Sequence, residues 1–288
     1  MAKLGTDPYK GVRDFYPEDM KIQNHIFDIW RKVAENRGYV EYSASILEPA
    51  ELYRGKTSEE IVNEQMFTFT DRGGREAALR PEMTPTLARM VAARRRNLKF
   101  PLRWYFIPNV FRYERPQRGR RREHWQLNCD LMGIAGVEAE VEIISLAHAI
   151  MKAFGAKDDD FSIQINSRKA LPKGVTMETV RKIDRGEELD ISIDETLEIR
   201  TLLEELKGKG IQNVKFNPKI VRGFDYYTGM VFEVFDTHSD NRRSLFGGGR
   251  YDNLLEIFGV EPIPTVGFGM GDITIRDFLE THKLGPYA

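Results

Sequence analysis

The sequence predicts an α+β fold, a mostly antiparallel β-sheet flanked by helices. Two long segments with helical periodicity stand before and within a series of short runs rich in β-branched and aromatic residues. Tight glycine-containing turns follow several of those runs, as hairpins require. The chain does not alternate strand and helix regularly, so a parallel βαβ sheet is the poorer match.

Taken in order, IQNHIFDIWRKVAENRGY has apolar residues at Ile22, Ile26, Phe27, Ile29, Trp30 and Val33, a helical stripe closed by Gly38. QMFTFTDRGGREAALRP reads as strand, turn and strand, with Asp71 to Gly74 making the turn. A helix is expected over Thr84–Arg96. RWYFIPNVFRYER is a strand, HWQLNCDLMG its partner, and Arg112 to Arg122 the crossing between them. GVEAEVEIISLAHAIMKAFGA is a long amphipathic helix and FSIQINS a strand. Pro172 to Gly210 is more polar, with a helix expected around Thr196–Lys207. GMVFEVFD, SLFGGGRYDNLL and TVGFGMGD close the chain's main body as strands and glycine turns.

With 288 residues, 41% hydrophobic and 30% charged, the composition is that of an ordinary globular protein. No apolar run approaches the roughly 20 residues that cross a bilayer. The N-terminal stretch lacks a secretory core, and a single cysteine, Cys129, excludes an intrachain disulfide. A cytoplasmic protein is expected. The net charge of −1 hides a segregation: Arg89 to Arg122 holds twelve Lys or Arg residues and one acid, Glu114. Such a run suits a solvated face, but six arginines between Arg112 and Arg122, broken by Pro116 and Gly119, also suit a polyphosphate or nucleic acid.

The densest signal is FRYERPQRGRRREHWQLNCD, residues 111–130. If Arg112 and Glu114 stand on a strand, both face one side. The arginine can hold a phosphate or carboxylate, and the carboxylate can accept the exocyclic amine of a base. His124 and Gln126 share a face of the returning strand. An arginine-rich surface hairpin explains the same residues equally well. GFGMG at Gly267–Gly271 is no dinucleotide fingerprint, and GGGR lacks the lysine and hydroxyl of a P-loop. The histidines (His25, His124, His148, His238, His282) have no metal-ligand spacing, so no metal site is expected.

The 111–130 segment resembles motif 2 of class II aminoacyl-tRNA synthetases, and its RPQRGR stretch resembles the histidyl enzymes in particular. IVRGFDYYTGMVFEVF, residues 220–235, is similar to the histidine-specific segment that contributes an extra catalytic arginine. SLFGGGRYDNLL, LRPEMTPTLARM and KGVRDFYPEDM add matches in the right order along nearly the whole chain. The resemblance implies a class II synthetase-like sheet and a ligase that joins histidine to ATP and then to tRNA(His). Because two anions must meet, positioned cations are the main catalytic requirement. By this resemblance Arg112 bridges the α-phosphate and the amino-acid carboxylate, and Arg222 stands on the α-phosphate and belongs to the histidine-binding set as well. Arg120 and Arg122 are implied at the outer phosphates, with Mg²⁺ on the pyrophosphate. Glu114 meets the adenine and His124 stacks on it. Glu82 and Thr84 are implied at the α-ammonium of L-histidine, with Gln126 orienting it and Asp130, Tyr226, Tyr227 and Tyr251 around the imidazole. From the residues alone, Tyr226 and Tyr227 read first as core aromatics, and Asp225 as a turn residue.

Three departures qualify these expectations. Ser45 stands where motif 1 usually carries a proline at the dimer interface, with Pro49 four residues later, so the expected homodimer is less secure. Thr274 stands where motif 3 ends in an arginine over ATP. Arg276 lies two residues beyond, about 200° round a helix, and does not substitute. ATP handling is therefore expected to lean on Arg112 and Arg222. The insertion between motifs 2 and 3, at about 172–210, is expected to be short, and no anticodon-binding domain is expected after HKLGPYA. Amino-acid activation is then better supported than efficient tRNA charging. The alternative is a non-catalytic, histidine-sensing relative of the regulatory subunit of ATP phosphoribosyltransferase. A general RNA-binding module explains the arginines but not the 220–235 segment.

Overall fold

The computed structural model of the chain describes residues 4–55, 57, 61–172, 175–184, 194–220, 222, 226–241 and 243–288. Helix α1 (Pro17–Asn36) begins five residues before its apolar stripe, with Pro17 in its first turn beside Glu18 and Asp19. Gly38, at φ +79°, lets the chain leave it. Strands β1 (Val40–Glu41) and β2 (Leu47–Pro49) and helix α2 (Glu51–Arg54) follow. The expected hairpin is β3 (Phe67–Thr70) and β4 (Glu76–Leu79). Its turn is held by Asp71, whose Oδ1 accepts from the backbone N–H groups of Gly73 and Arg75.

Helix α3 (Thr84–Arg94) runs into a short 3₁₀ turn, and the strand expected over 103–115 is divided into β5 (Leu102–Phe106) and β6 (Asn109–Phe111). The break falls at Pro108, which has no N–H for the ladder and whose carbonyl accepts from Gln126 N at 2.9 Å. Arg112 and Glu114 therefore lie beyond the strand. Glu114 N donates to Arg112 O at 2.7 Å, a local bond that takes the chain out of extended geometry. The face-sharing argument for this pair does not apply.

Ten-residue β7 (Glu123–Met132) returns, then helix α4 (Glu138–Ala153), β8 (Phe161–Ser167), α5 (Met177–Asp184) and α6 (Leu197–Gly208). Thr196 caps α6 by accepting from Ile199 N. Strand β9 (Val214–Phe216) was not expected from sequence. After it come β10 (Met230–Asp236), β11 (Ser244–Arg250), β12 (Thr265–Gly271) and α7 (Asp272–His282). The large sheet has the order β1-β5-β7-β12-β11-β10-β8-β9, with β6 pairing on β7, and β2-β4-β3 form a small second sheet. Every pairing in its centre is antiparallel; only the outer pairs β1·β5 and β8·β9 are parallel.

Strand alternation divides the large sheet into two unlike faces. One carries Leu127, Cys129 and Leu131 of β7, Val266 and Met270 of β12 and Phe232 of β10 into the main core. Ile26 and Trp30 of α1, Ile143 and Ile150 of α4, and Phe278 of α7 pack there as well. The other face presents Gln126, Asn128 and Asp130 of β7 and Gly267 and Gly269 of β12, all lining one pocket. Arg250, at the end of β11, is buried and donates to both carboxylate oxygens of buried Glu140 on α4, which fixes that end of the sheet to its helical layer. Among the described residues no helix is long and apolar enough to cross a membrane.

Candidate active site

The pocket lies on the polar face of the sheet and encloses about 100 Å³. Its floor is made of strands whose residues alternate between the pocket and the core. Glycines on β11 and β12 keep it open. A Cβ on Gly269 would run into the Gln126 side chain, one on Gly267 into Asp130, and one on Gly247 into the Arg222 guanidinium and the Phe232 carbonyl.

Two acids line the cavity. Glu82, just before α3, is buried; its Oε1 accepts from the Thr57 hydroxyl at 2.6 Å and its Oε2 from the Tyr226 hydroxyl at 3.2 Å. Burial raises its pKa, opposed by the Thr57 hydrogen bond and the nearby Arg112 charge. Asp130 accepts a short hydrogen bond from the Tyr251 hydroxyl, and burial pushes its carboxyl up to about 7. Tyr226, Tyr227 and Tyr251 pack on one another, with ring centroids 4.9 to 6.4 Å apart. They are core aromatics and pocket walls at once, so the two sequence readings of Tyr226 and Tyr227 are both met in the structure. Asp225 lies outside the described residues.

Two cations line the cavity as well. Arg112 donates from Nε to the Pro81 carbonyl at 2.9 Å, and Arg222 donates from Nη1 to Glu233 Oε1 at 2.9 Å. Arg222 sits at φ +50°, a region that costs a residue with a side chain about 1–3 kcal/mol and that clusters at functional sites. Its guanidinium stands 5.9 Å from the Tyr227 ring centre. Arginines from stretches 110 residues apart thus line one cavity with Glu82, Thr84, Gln126, Asp130, Tyr226, Tyr227 and Tyr251. Carboxylates and guanidinium groups in one cavity suit a small zwitterion that meets an anion.

Glu114, Arg120, Arg122 and His124 do not line this cavity. His124 is half-buried on β7, and burial, with the charges of Arg112 and Arg13, lowers its pKa to about 3, which keeps the ring neutral. Among the described residues Glu114 Oε2 is buried without a hydrogen bond, and its ion-pair partner is Arg120, with Nε 3.2 Å away. Arg122 is used within the protein: its guanidinium lies 3.7 Å from the Tyr113 ring centre and donates to the Tyr9 hydroxyl and the Glu114 carbonyl. Thr274 Oγ1 donates to the Leu245 carbonyl at 2.6 Å, while Arg276 turns to Tyr287 and Asp19. Among the described residues no group of three or more His, Cys, Asp or Glu side chains could hold a metal ion.

Asn128, Thr57, Glu233 and Asp272 were missed from sequence. Asn128 was within reach, since it shares the two-residue period of Gln126 and Asp130. Thr57 and Glu233 hold pocket groups from 25 and 11 residues away, and no local pattern marks them.

The sequence profile of the family described as Histidyl-tRNA synthetase matches residues 11–173 and 169–272. The histidine–tRNA ligase of Leptospira biflexa is 42% identical over 99% of this chain and 76% of its own length. That of Thermoplasma volcanium is 39% identical over 97% of this chain and 76% of its own length. Among solved structures, apo Staphylococcus aureus histidyl-tRNA synthetase superposes with a TM-score of 0.73 at 25% identity, over 99% of this chain and 72% of that one. A Bacillus halodurans structure described as an ATP phosphoribosyltransferase regulatory subunit/histidyl-tRNA synthetase gives 0.78 at 26% identity, over 96% and 84%. The α+β architecture is that of a class II synthetase core, and the chain belongs to the histidyl-tRNA synthetase family.

Proposed function

We propose that the chain activates L-histidine with ATP to histidyl-adenylate and transfers the histidyl group to the 3′ end of tRNA(His). One observation supports this most: Arg112 and Arg222 line a single cavity together with Glu82 and Asp130. In this reading the α-ammonium sits at Glu82 and Thr84, and the imidazole lies among Asp130, Tyr227 and Tyr251. The histidine carboxylate then projects towards the two arginines. A carboxylate oxygen attacks the α-phosphorus, a P–O bond forms, and the bond to pyrophosphate breaks. Arg112 and Arg222 counter the charge that gathers on the α-phosphoryl oxygens, so the chain contributes orientation and electrostatics and no covalent nucleophile. Glu114 and His124 serve the adenine. Mg²⁺ would accompany the nucleotide and offset the charge of its phosphates.

Histidine selectivity follows from the buried Asp130–Tyr251 pair. A side chain without a ring N–H leaves both groups unsatisfied, which discriminates more strongly than an apolar pocket. The reading includes a homodimer in a cytoplasmic setting. Exposed Val40, Ile46, Leu47 and Phe69 on β1, β3 and the β2 edge are suited to being covered by a second copy. It also includes a shortened insertion at about 172–210. In support, the Leptospira alignment runs over 333 positions against 288 residues here, so at least 45 have no counterpart in this chain.

Histidine-dependent exchange of pyrophosphate into ATP tests the proposal. Exchange with histidine and with no other common amino acid is expected. Histidine binding without exchange would favour the second reading, a histidine-sensing regulatory protein, which the Bacillus neighbour's description and Thr274 keep open.

A further inference from the structure

We propose that Arg13 is a nucleotide-binding residue, a guanidinium fixed by Asp272 that supplies on the ATP side the cation α7 does not bring there. The proposal rests on the ATP reading above, but a separate set of contacts supports it.

Asp272 is the first residue of α7 and is 1% exposed. Its carboxylate is fully engaged: Oδ1 accepts from Trp125 N at 2.9 Å, and Oδ2 accepts from Arg13 Nη2 at 2.7 Å and Gln23 Nε2 at 3.2 Å. Arg13 is thus held to the end of β12 by a residue 259 positions away. Phe15 covers the guanidinium at 4.8 Å and meets Trp125 edge-on at 5.2 Å. One edge of the fork and one face are accounted for. Arg13 Nε is buried and has no hydrogen-bond partner among the described residues. A buried charged donor without an acceptor is costly, and guanidinium forks suit phosphate oxygens.

The surroundings identify the ligand class. Trp125 follows His124 on β7, and the charges of Arg13 and Arg112 both act on the His124 ring. Arg13 and Arg112 therefore both stand near His124, at the start of β7. Two α7 side chains near the expected cationic position are committed elsewhere, Thr274 to the Leu245 carbonyl and Arg276 to Asp19 and Tyr287. A nucleoside triphosphate entering beside His124 meets Arg13 as a preplaced cation from the N-terminal segment.

The competing explanation is that Arg13 only neutralises buried Asp272. R13Q, D272N and R13Q/D272N separate the two. R13Q alone is expected to lower Tm, because it strands the carboxylate, and to raise KM for ATP. The double variant removes the stranded charge, so its Tm returns towards wild type. Its KM for ATP is nevertheless expected to stay about tenfold or more above wild type, with KM for histidine within about twofold. A double variant that recovers ATP affinity together with Tm overturns the proposal, as does an equal rise in histidine KM. If wild type shows no exchange, the activation reading fails on its own. Equilibrium binding of a non-hydrolysable ATP analogue then decides Arg13: weaker binding by the double variant supports it, and equal binding, or none by wild type, overturns it.

Discussion

Burial pushes the Asp130 carboxyl up to about 7, against the pull of the Tyr251 hydrogen bond. A raised acid pKa means that the folded chain holds a proton the unfolded chain has released. This group's contribution is therefore most favourable below the ordinary value of 3.8 and declines as pH rises to about 7. With the carboxyl moved from 3.8 to about 7, the decline is at most about 4 kcal/mol. Asp130→Asn cannot ionise. Its Tm, measured relative to wild type, is expected to rise steadily between about pH 4 and 7.5; a difference independent of pH contradicts the assignment. Near neutrality Asp130 can either accept from or donate to a ring nitrogen, which suits imidazole. The place of Asp130 beside Gln126 was legible because β7 is one unbroken strand with a two-residue period. The committed state of Arg122 was not, since Tyr9 and Tyr113 reach it through loop geometry that no periodicity encodes.

The strand glycines act as elements, through register. The nearest atoms to a Cβ on Gly269 are side-chain atoms of Gln126 and Asn128, whereas one on Gly248 meets the Gly267 carbonyl and the Phe268 backbone. Gly269→Ala is therefore expected to fold with Tm within a few degrees of wild type and to lose about tenfold or more in histidine affinity, as Gln126 is displaced. Gly248→Ala is expected to lose several kcal/mol of stability, because backbone cannot yield. Equal stability losses in the two variants, read by chemical denaturation, contradict this division. The glycine runs announced turns in the sequence; in the structure they are strand residues kept small so that a ligand and neighbouring strands can approach. Other element-scale differences have simple causes. Pro108 splits one expected strand, and three-residue β9 is too short to show a period, being defined by its pairing with β8.

Across the whole molecule, the sheet separates structural from chemical work. Helices α1, α4, α6 and α7 cover one face around Trp30, Ile143 and Phe278, all with no exposed surface, and the opposite face holds the polar pocket beside a second apolar cluster that includes Leu87, Met132 and Val231. That division was legible as fold class, from long helices set among hairpins. The meeting of Arg112 and Arg222 was not legible from composition or spacing; it followed only from the resemblance of two distant segments to one family. Wild-type and Arg222→Ala chains, compared in a single-turnover measurement of histidyl-adenylate formation together with equilibrium histidine binding, test this meeting most directly. The account expects the rate to fall by about 10² or more while the Kd for histidine changes less than about fivefold, because the guanidinium acts on charge that develops at the phosphorus. An unchanged rate, or a loss confined to histidine binding, would contradict it.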